Sequence, residues 1–171
     1  MTTQQLYLFN AMYAVVFAAV AVLTRATAMR IAGALAGGIV IGPVGLGIVA
    51  LGERLGWWHM PMTWTPYYLT LMWIDFAVGG FVFLLTWRIA RRFGWRGLTV
   101  VVVIAACLGP VRDYAYMRQF PEWGAYAPGW TPALAVSAAY VLLGTLGHAT
   151  MRLVAGPARA DRLARRPWER A

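Results

Sequence analysis

The sequence predicts an all-α fold: a polytopic transmembrane bundle of about five helices, N-terminus outside and C-terminus cytoplasmic. Three observations lead there. Of the 171 residues, 61% are hydrophobic and 12% charged, where a soluble domain carries about 25% charged residues. Apolar runs of roughly 20 residues, the length that crosses a bilayer, recur between short polar segments. Every basic side chain is arginine, and the arginines cluster beside alternate ends of those runs, as the positive-inside rule describes.

The first span is expected over about residues 6–23. The segment before it, MTTQQLYLFN, has neither a positive n-region nor a small-residue cleavage site, so the run is read as retained. A short loop with Arg25 and Arg30 leads to the second span, 31–52. That span holds Gly33-xxx-Gly37 and Gly38-xxx-Gly42, spacing that lets helix backbones approach closely. The loop Glu53 to Pro66 is aromatic. The third span covers 67–87, and its exit loop carries Arg88, Arg91, Arg92 and Arg96. The fourth span, 98–116, is expected to be short and broken at Gly109-Pro110. A proline removes one backbone donor and frees the carbonyl four residues earlier; Gly42-Pro43 interrupts the second span in the same way. The fifth span covers 131–151. Residues 1–151 thus form a single transmembrane helical domain, and 152–171 a basic cytoplasmic tail.

Arginine asymmetry sets the orientation. The 24–30 loop, the 88–97 loop and the tail hold 12 arginines, and the other loops hold three: Arg54, Arg112 and Arg118. The first set is predicted to be cytoplasmic. Trp57, Trp58, Trp64, Tyr67, Tyr68, Trp123, Tyr126 and Trp130 then gather at the outer boundary and Trp87 and Trp95 at the inner one, the depth amphipathic rings prefer. The predicted location is a bacterial inner membrane.

The net charge of +9 does not point to nucleic acid, because the arginines adjoin apolar runs rather than forming a basic stripe. The expected partners are the lipid bilayer, membrane proteins docked on the glycine-rich helix faces, and anionic lipid under the tail, where Leu153, Val154, Leu163 and Trp168 sit among arginines. Cys107 is the single cysteine, so no intramolecular disulfide forms. The sequence contains no phosphate loop, nucleophile elbow or His-Glu-x-x-His motif.

Polar side chains gather toward the outer side: Glu53, His59, Asp75, Arg112, Asp113, Arg118 and Glu122. Asp75 lies about eight residues into its span, roughly 12 Å of helix rise from the outer end. A carboxylate at that depth costs several kcal/mol unless paired or hydrated. Arg112 matches it in depth. Asp75, Glu53, Arg112 and Asp113 are therefore the candidate catalytic residues, as the wall of a polar cavity; the competing reading is a structural Asp75–Arg112 ion pair. Gly79 lies one turn from Asp75 and gives that face room for a neighbouring helix. His59, Met60 and Met62 are candidate metal ligands, since imidazole and thioether suit copper. His148, in the cytoplasmic half of the fifth span, is a candidate cofactor-binding residue, and more simply a hydrogen-bond partner of a neighbouring helix. No particular cofactor is specified.

The leading functional expectation is a non-catalytic accessory or structural subunit of a larger bacterial membrane assembly. The alternative is a membrane-embedded enzyme or carrier for a lipid or isoprenoid, acting through the outer polar cluster. Copper handling at the outer loop is a remote third. The run Glu-Arg-Leu-Gly-Trp-Trp at 53–58, with the aromatic third span after it, resembles small carotenoid-modifying membrane proteins over a small part of the chain; no site residue is carried over from that likeness.

Overall fold

The computed structural model describes residues 2–60, 66–121 and 124–158. In chain order the elements are helix α1 (Thr3–Thr24), α2 (Ala28–Arg54), strand β1 (Trp58–His59), α3 (Tyr67–Ile74), a π-helical segment (Asp75–Phe83), α4 (Leu84–Gln119), strand β2 (Ala125–Tyr126) and α5 (Trp130–Ala155). Four helical stretches are long and apolar enough to cross a membrane: Thr3–Thr24, Ala28–Arg54, Tyr67–Gln119 and Trp130–Ala155. The chain fits a multi-pass membrane protein, and the outer faces of α1 and α5 are correspondingly apolar, with Leu8, Val15, Leu23, Leu134, Leu142 and Leu153 exposed.

The Tyr67–Gln119 stretch is folded back on itself at Gly94, whose φ of 68° and ψ of −154° lie outside the helical region. A methyl group on Gly97 would stand 3.0 Å from Cγ2 of Ile89. In a straight helix residues eight apart are separated by roughly 12 Å, so the chain reverses there. The result is a helical hairpin with limbs 67–93 and 95–119. The fourth apolar run is therefore a complete helix, and the expected break at Gly109-Pro110 is absent: α4 continues through it to Gln119. The reason is a partner on the next helix. Pro110 leaves the carbonyl of Ala106 without its helical donor, and Ser137 Oγ on α5 donates to that oxygen at 2.8 Å.

α2 is the axle of the bundle, and its glycines work as pairs. Methyl groups on Gly33 and Gly37 would lie 3.0 and 2.8 Å from the carbonyl oxygens of Met151 and Gly147 on α5. On Gly38 and Gly42 they would run into Asp75 and Leu71. Close backbone approach is what small residues at this spacing permit, and here it is used within the chain on two sides of one helix.

One end of the bundle is fastened by Arg30, which is only 2% exposed. Its Nη2 donates to the Ala155 carbonyl at 3.2 Å, and both Nη1 and Nη2 reach the Gly156 carbonyl at 3.3 Å. These carbonyls end α5 and lack helical donors. The guanidinium also lies 5.2 Å from the ring centroid of Trp87. Trp87, expected from the sequence at the inner boundary, is fully buried inside the bundle; a buried cation is satisfied by this ring and these carbonyls together. Trp95, by contrast, is 73% exposed. At the opposite end, Asn10 Nδ2 donates to the Leu6 and Leu69 carbonyls at 2.8 and 2.9 Å, tying α1 to α3. The antiparallel pair β1–β2, Trp58 opposite Tyr126, closes that same end over the mouth of the bundle.

Candidate functional site

α5 meets the second limb of α4 with Ser137 and Tyr140, three residues apart and so on one helix face. Ser137 satisfies the carbonyl opposite Pro110, as above. The Tyr140 ring occupies the space Gly109 leaves, since a methyl group there would come within 2.4 Å of ring carbon Cε2. Both residues of the Gly-Pro pair therefore serve one contact, and it delivers the Tyr140 hydroxyl to Arg112 and Asp113. Arg112 Nε and Nη2 donate to Asp113 Oδ1 at 3.0 and 2.7 Å. Arg112 Nη2 also donates to the Tyr140 hydroxyl. That hydroxyl donates in turn to the Asp113 carboxylate, 3.2 Å from Oδ1 and 3.1 Å from Oδ2.

This triad forms the polar end of a cavity of about 670 Å³ between α2, the π-helical segment, α4 and α5. Small-molecule sites span roughly 300–1,000 Å³. Below the triad the walls are apolar, including Ile41 and Val49 of α2, Val78 and Val82 of the π segment, Leu108 of α4 and Leu143 of α5. Above it stand Trp58, Met60 and Tyr126. Trp58 is 5% exposed; its Nε1 donates to the Val49 carbonyl at 2.9 Å, and its ring fills the space left by Gly52. Tyr126 meets Trp58 edge-on, with centroids 6.0 Å apart, and stacks on Tyr114 at 4.3 Å. Burial, and after it the Asp113 carboxylate, push the Tyr126 hydroxyl well above its ordinary range, so this ring stays neutral.

The structure brings Arg112 and Asp113 together and leaves Asp75 elsewhere. Asp75 opens the π-helical segment and faces α2, its Oδ1 lodged against Gly38 and 3.3 Å from a methyl group built on Gly79. Among the described residues that buried oxygen has no hydrogen-bond partner. The Asp75–Arg112 pair is thus not formed: Asp75 packs against Gly38 of α2, while Arg112 is held by Asp113 and Tyr140. The glycine-faced surroundings expected for Asp75 are present.

Glu53 and His59 form a separate, exposed strap. His59 Nδ1 lies 3.2 Å from Glu53 Oε1, and the Met60 amide donates to the same oxygen at 3.3 Å. Neither Glu53 nor His59 lines the cavity, whereas Met60 does. Met62 and Glu122 fall outside the described residues. Among the described residues, no three of His, Cys, Asp and Glu gather into a metal-binding group. His148 is half-buried and away from the cavity, with Nδ1 3.5 Å from Thr86 Oγ1 on α4.

Tyr140, Tyr126 and Trp58 complete the site without having been singled out as site residues. Tyr140 reads as one aromatic in an apolar run. The available signal was Gly109-Pro110 itself, a gap and an unpaired carbonyl on one helix that call for a ring and a hydroxyl on another. Comparisons with protein-family models, with curated proteins and with solved structures find no match to this chain.

Proposed function

We propose that this chain is a five-span protein of the bacterial inner membrane, N-terminus outside, that holds a lipid or isoprenoid in the cavity as its carrier or as an enzyme acting on it. The observation that carries this reading is the cavity of about 670 Å³, with mostly apolar walls and the polar cluster of Arg112, Asp113 and Tyr140. That division of surfaces matches an amphiphile, with few polar groups fixing the head and apolar walls taking the tail. The five-span arrangement is supported by the reversal at Gly94 and by the arginines near it, Arg88, Arg91, Arg92 and Arg96, which mark a cytoplasmic turn. The accessory-subunit expectation leaned on glycine faces, and Gly33, Gly37, Gly38 and Gly42 are filled from within the chain.

The test is extraction of the purified protein in mild detergent, followed by mass spectrometry of bound lipid. Gly45 and Gly144 line the cavity, and a methyl group on either meets only one side-chain atom, 3.9 Å away. Gly45→Leu and Gly144→Leu therefore start their side chains in open space at the cavity wall, and the folded yield of each variant is measured beside that of the wild type. An amphiphile enriched over bulk lipid in the wild-type protein and absent from both variants is expected. Equal recovery from all three proteins would sink the proposal. Reporter fusions at each terminus, active on opposite sides of the membrane, test the five-span topology.

A further inference from the structure

We infer that the ligand of this cavity is a long-chain alcohol, whose uncharged hydroxyl head binds at Arg112 and Asp113, rather than a phosphate or carboxylate; this rests on the reading of the cavity as a lipid or isoprenoid site. The argument is a count of charges and hydrogen bonds. Arginine carries five N–H donors. Nε and both protons of Nη2 are directed at Asp113 and Tyr140, leaving the two Nη1 donors without a partner among the described residues. Asp113 Oδ1 accepts from Arg112 Nε and Nη2, which fills it, so the single Tyr140 proton, within reach of both oxygens, goes to Oδ2. A carboxylate oxygen has room for two acceptances, so Oδ2 keeps one. One ion pair therefore keeps both spare donors and a spare acceptor. A hydroxyl is the head group that uses both, accepting from Arg112 and donating to Asp113.

An anionic head fits badly. Asp113 already sits 2.7 Å from the guanidinium, so the pair presents no net charge. A phosphate or carboxylate at Nη1 would gain two donors but also face the Asp113 carboxylate at close range, where like charges repel strongly. An anion binds best where the charge opposite it is not already matched, because each charge-assisted bond is offset by repulsion from the neighbouring carboxylate. Among the described residues lining the cavity, Arg112 is the one cation, and it is matched by one anion.

The experiment uses the full chain in nanodiscs of uncharged phosphatidylcholine. A shift in intrinsic tryptophan emission reports binding, because Trp58 and Trp73 line the cavity and lose contact with water when it fills. The probes are geranylgeraniol, geranylgeranoic acid and geranylgeranyl monophosphate, with oleyl alcohol and oleic acid as a straight-chain pair. The alcohols are expected to bind at least about tenfold more tightly than their acids or the phosphate. The better of the two alcohols then names the chain, isoprenoid or acyl. Asp113→Asn keeps the shape and removes the anion, so it should reverse the order and favour the acids. Tighter binding of acid or phosphate to the wild-type protein overturns this inference while leaving the cavity reading intact. An unchanged order in Asp113→Asn also overturns it. Binding of none of the five probes removes both readings together.

Discussion

Ser137→Ala tests the contact that positions the polar end of the cavity. Ser137 Oγ donates at 2.8 Å to the Ala106 carbonyl, the oxygen that Pro110 leaves without a helical N–H. Hydrogen bonds between transmembrane helices contribute about 0.6 kcal/mol on average and up to about 1.7 kcal/mol. This one belongs near the upper figure, since its loss strands an acceptor between helices instead of returning it to a helical ladder. Ser137→Ala should therefore cost about 1–1.5 kcal/mol. In a Pro110→Ala background residue 110 regains its N–H, the Ala106 carbonyl is satisfied within α4, and the same serine substitution should cost only about 0–0.3 kcal/mol. The difference, about 1 kcal/mol, is the coupling between the two positions. Reversible unfolding in mixed detergent micelles, followed by circular dichroism for all four proteins, measures it. Equal costs in the two backgrounds would refute the assignment of Ser137 as the partner of the proline-freed carbonyl.

Three further outcomes are expected. Gly38→Ala places a methyl group 1.9 Å from Asp75 Oδ1 and should destabilise by about 1–3 kcal/mol through overpacking; the same substitution should cost less in an Asp75→Ala background, read in the same unfolding assay. Arg30→Met removes the hydrogen bonds to the end of α5 and the stacking on Trp87, at about 2 kcal/mol or more; Arg30→Lys should fail to restore the lost stability, because a point charge cannot copy the planar fork. Gly94→Ala forces a side chain onto a φ of 68° and should cost about 1–3 kcal/mol, seen as a lower unfolding midpoint or reduced folded yield.

Much of the fold is legible in the sequence because hydropathy fixes depth. Apolar runs set where the chain crosses the bundle, and arginines mark one set of ends. What hydropathy does not fix is the face of each helix. Asp75 and Arg112 are expected at one depth, yet a side chain's direction depends on helix rotation, and Asp75 stands where the hydrogen-bonding widens from α to π. No composition signal marks that change. Gly109-Pro110 misled for a related reason. A breaker is judged against its own helix, whereas Ser137 and Tyr140 restore what Gly109 and Pro110 remove. Gly94 carried the real reversal, but it sits among arginines that already read as a loop. Trp87 shows the same limit: hydropathy says nothing of its neighbour, and Arg30 from another helix covers its ring.

The one-residue reversal at Gly94 bears on how such a chain enters a bilayer. Limbs 67–93 and 95–119 are joined by a turn at the single residue Gly94. In the five-span reading they insert as a single unit, apolar walls already facing each other. With the arginines near the turn, Arg88, Arg91, Arg92 and Arg96, held on the side of synthesis as that reading requires, the end with Arg112 and Asp113 would be carried across in one movement. The side of the membrane on which the cavity opens would then be decided during synthesis, by charges at the opposite end of the hairpin.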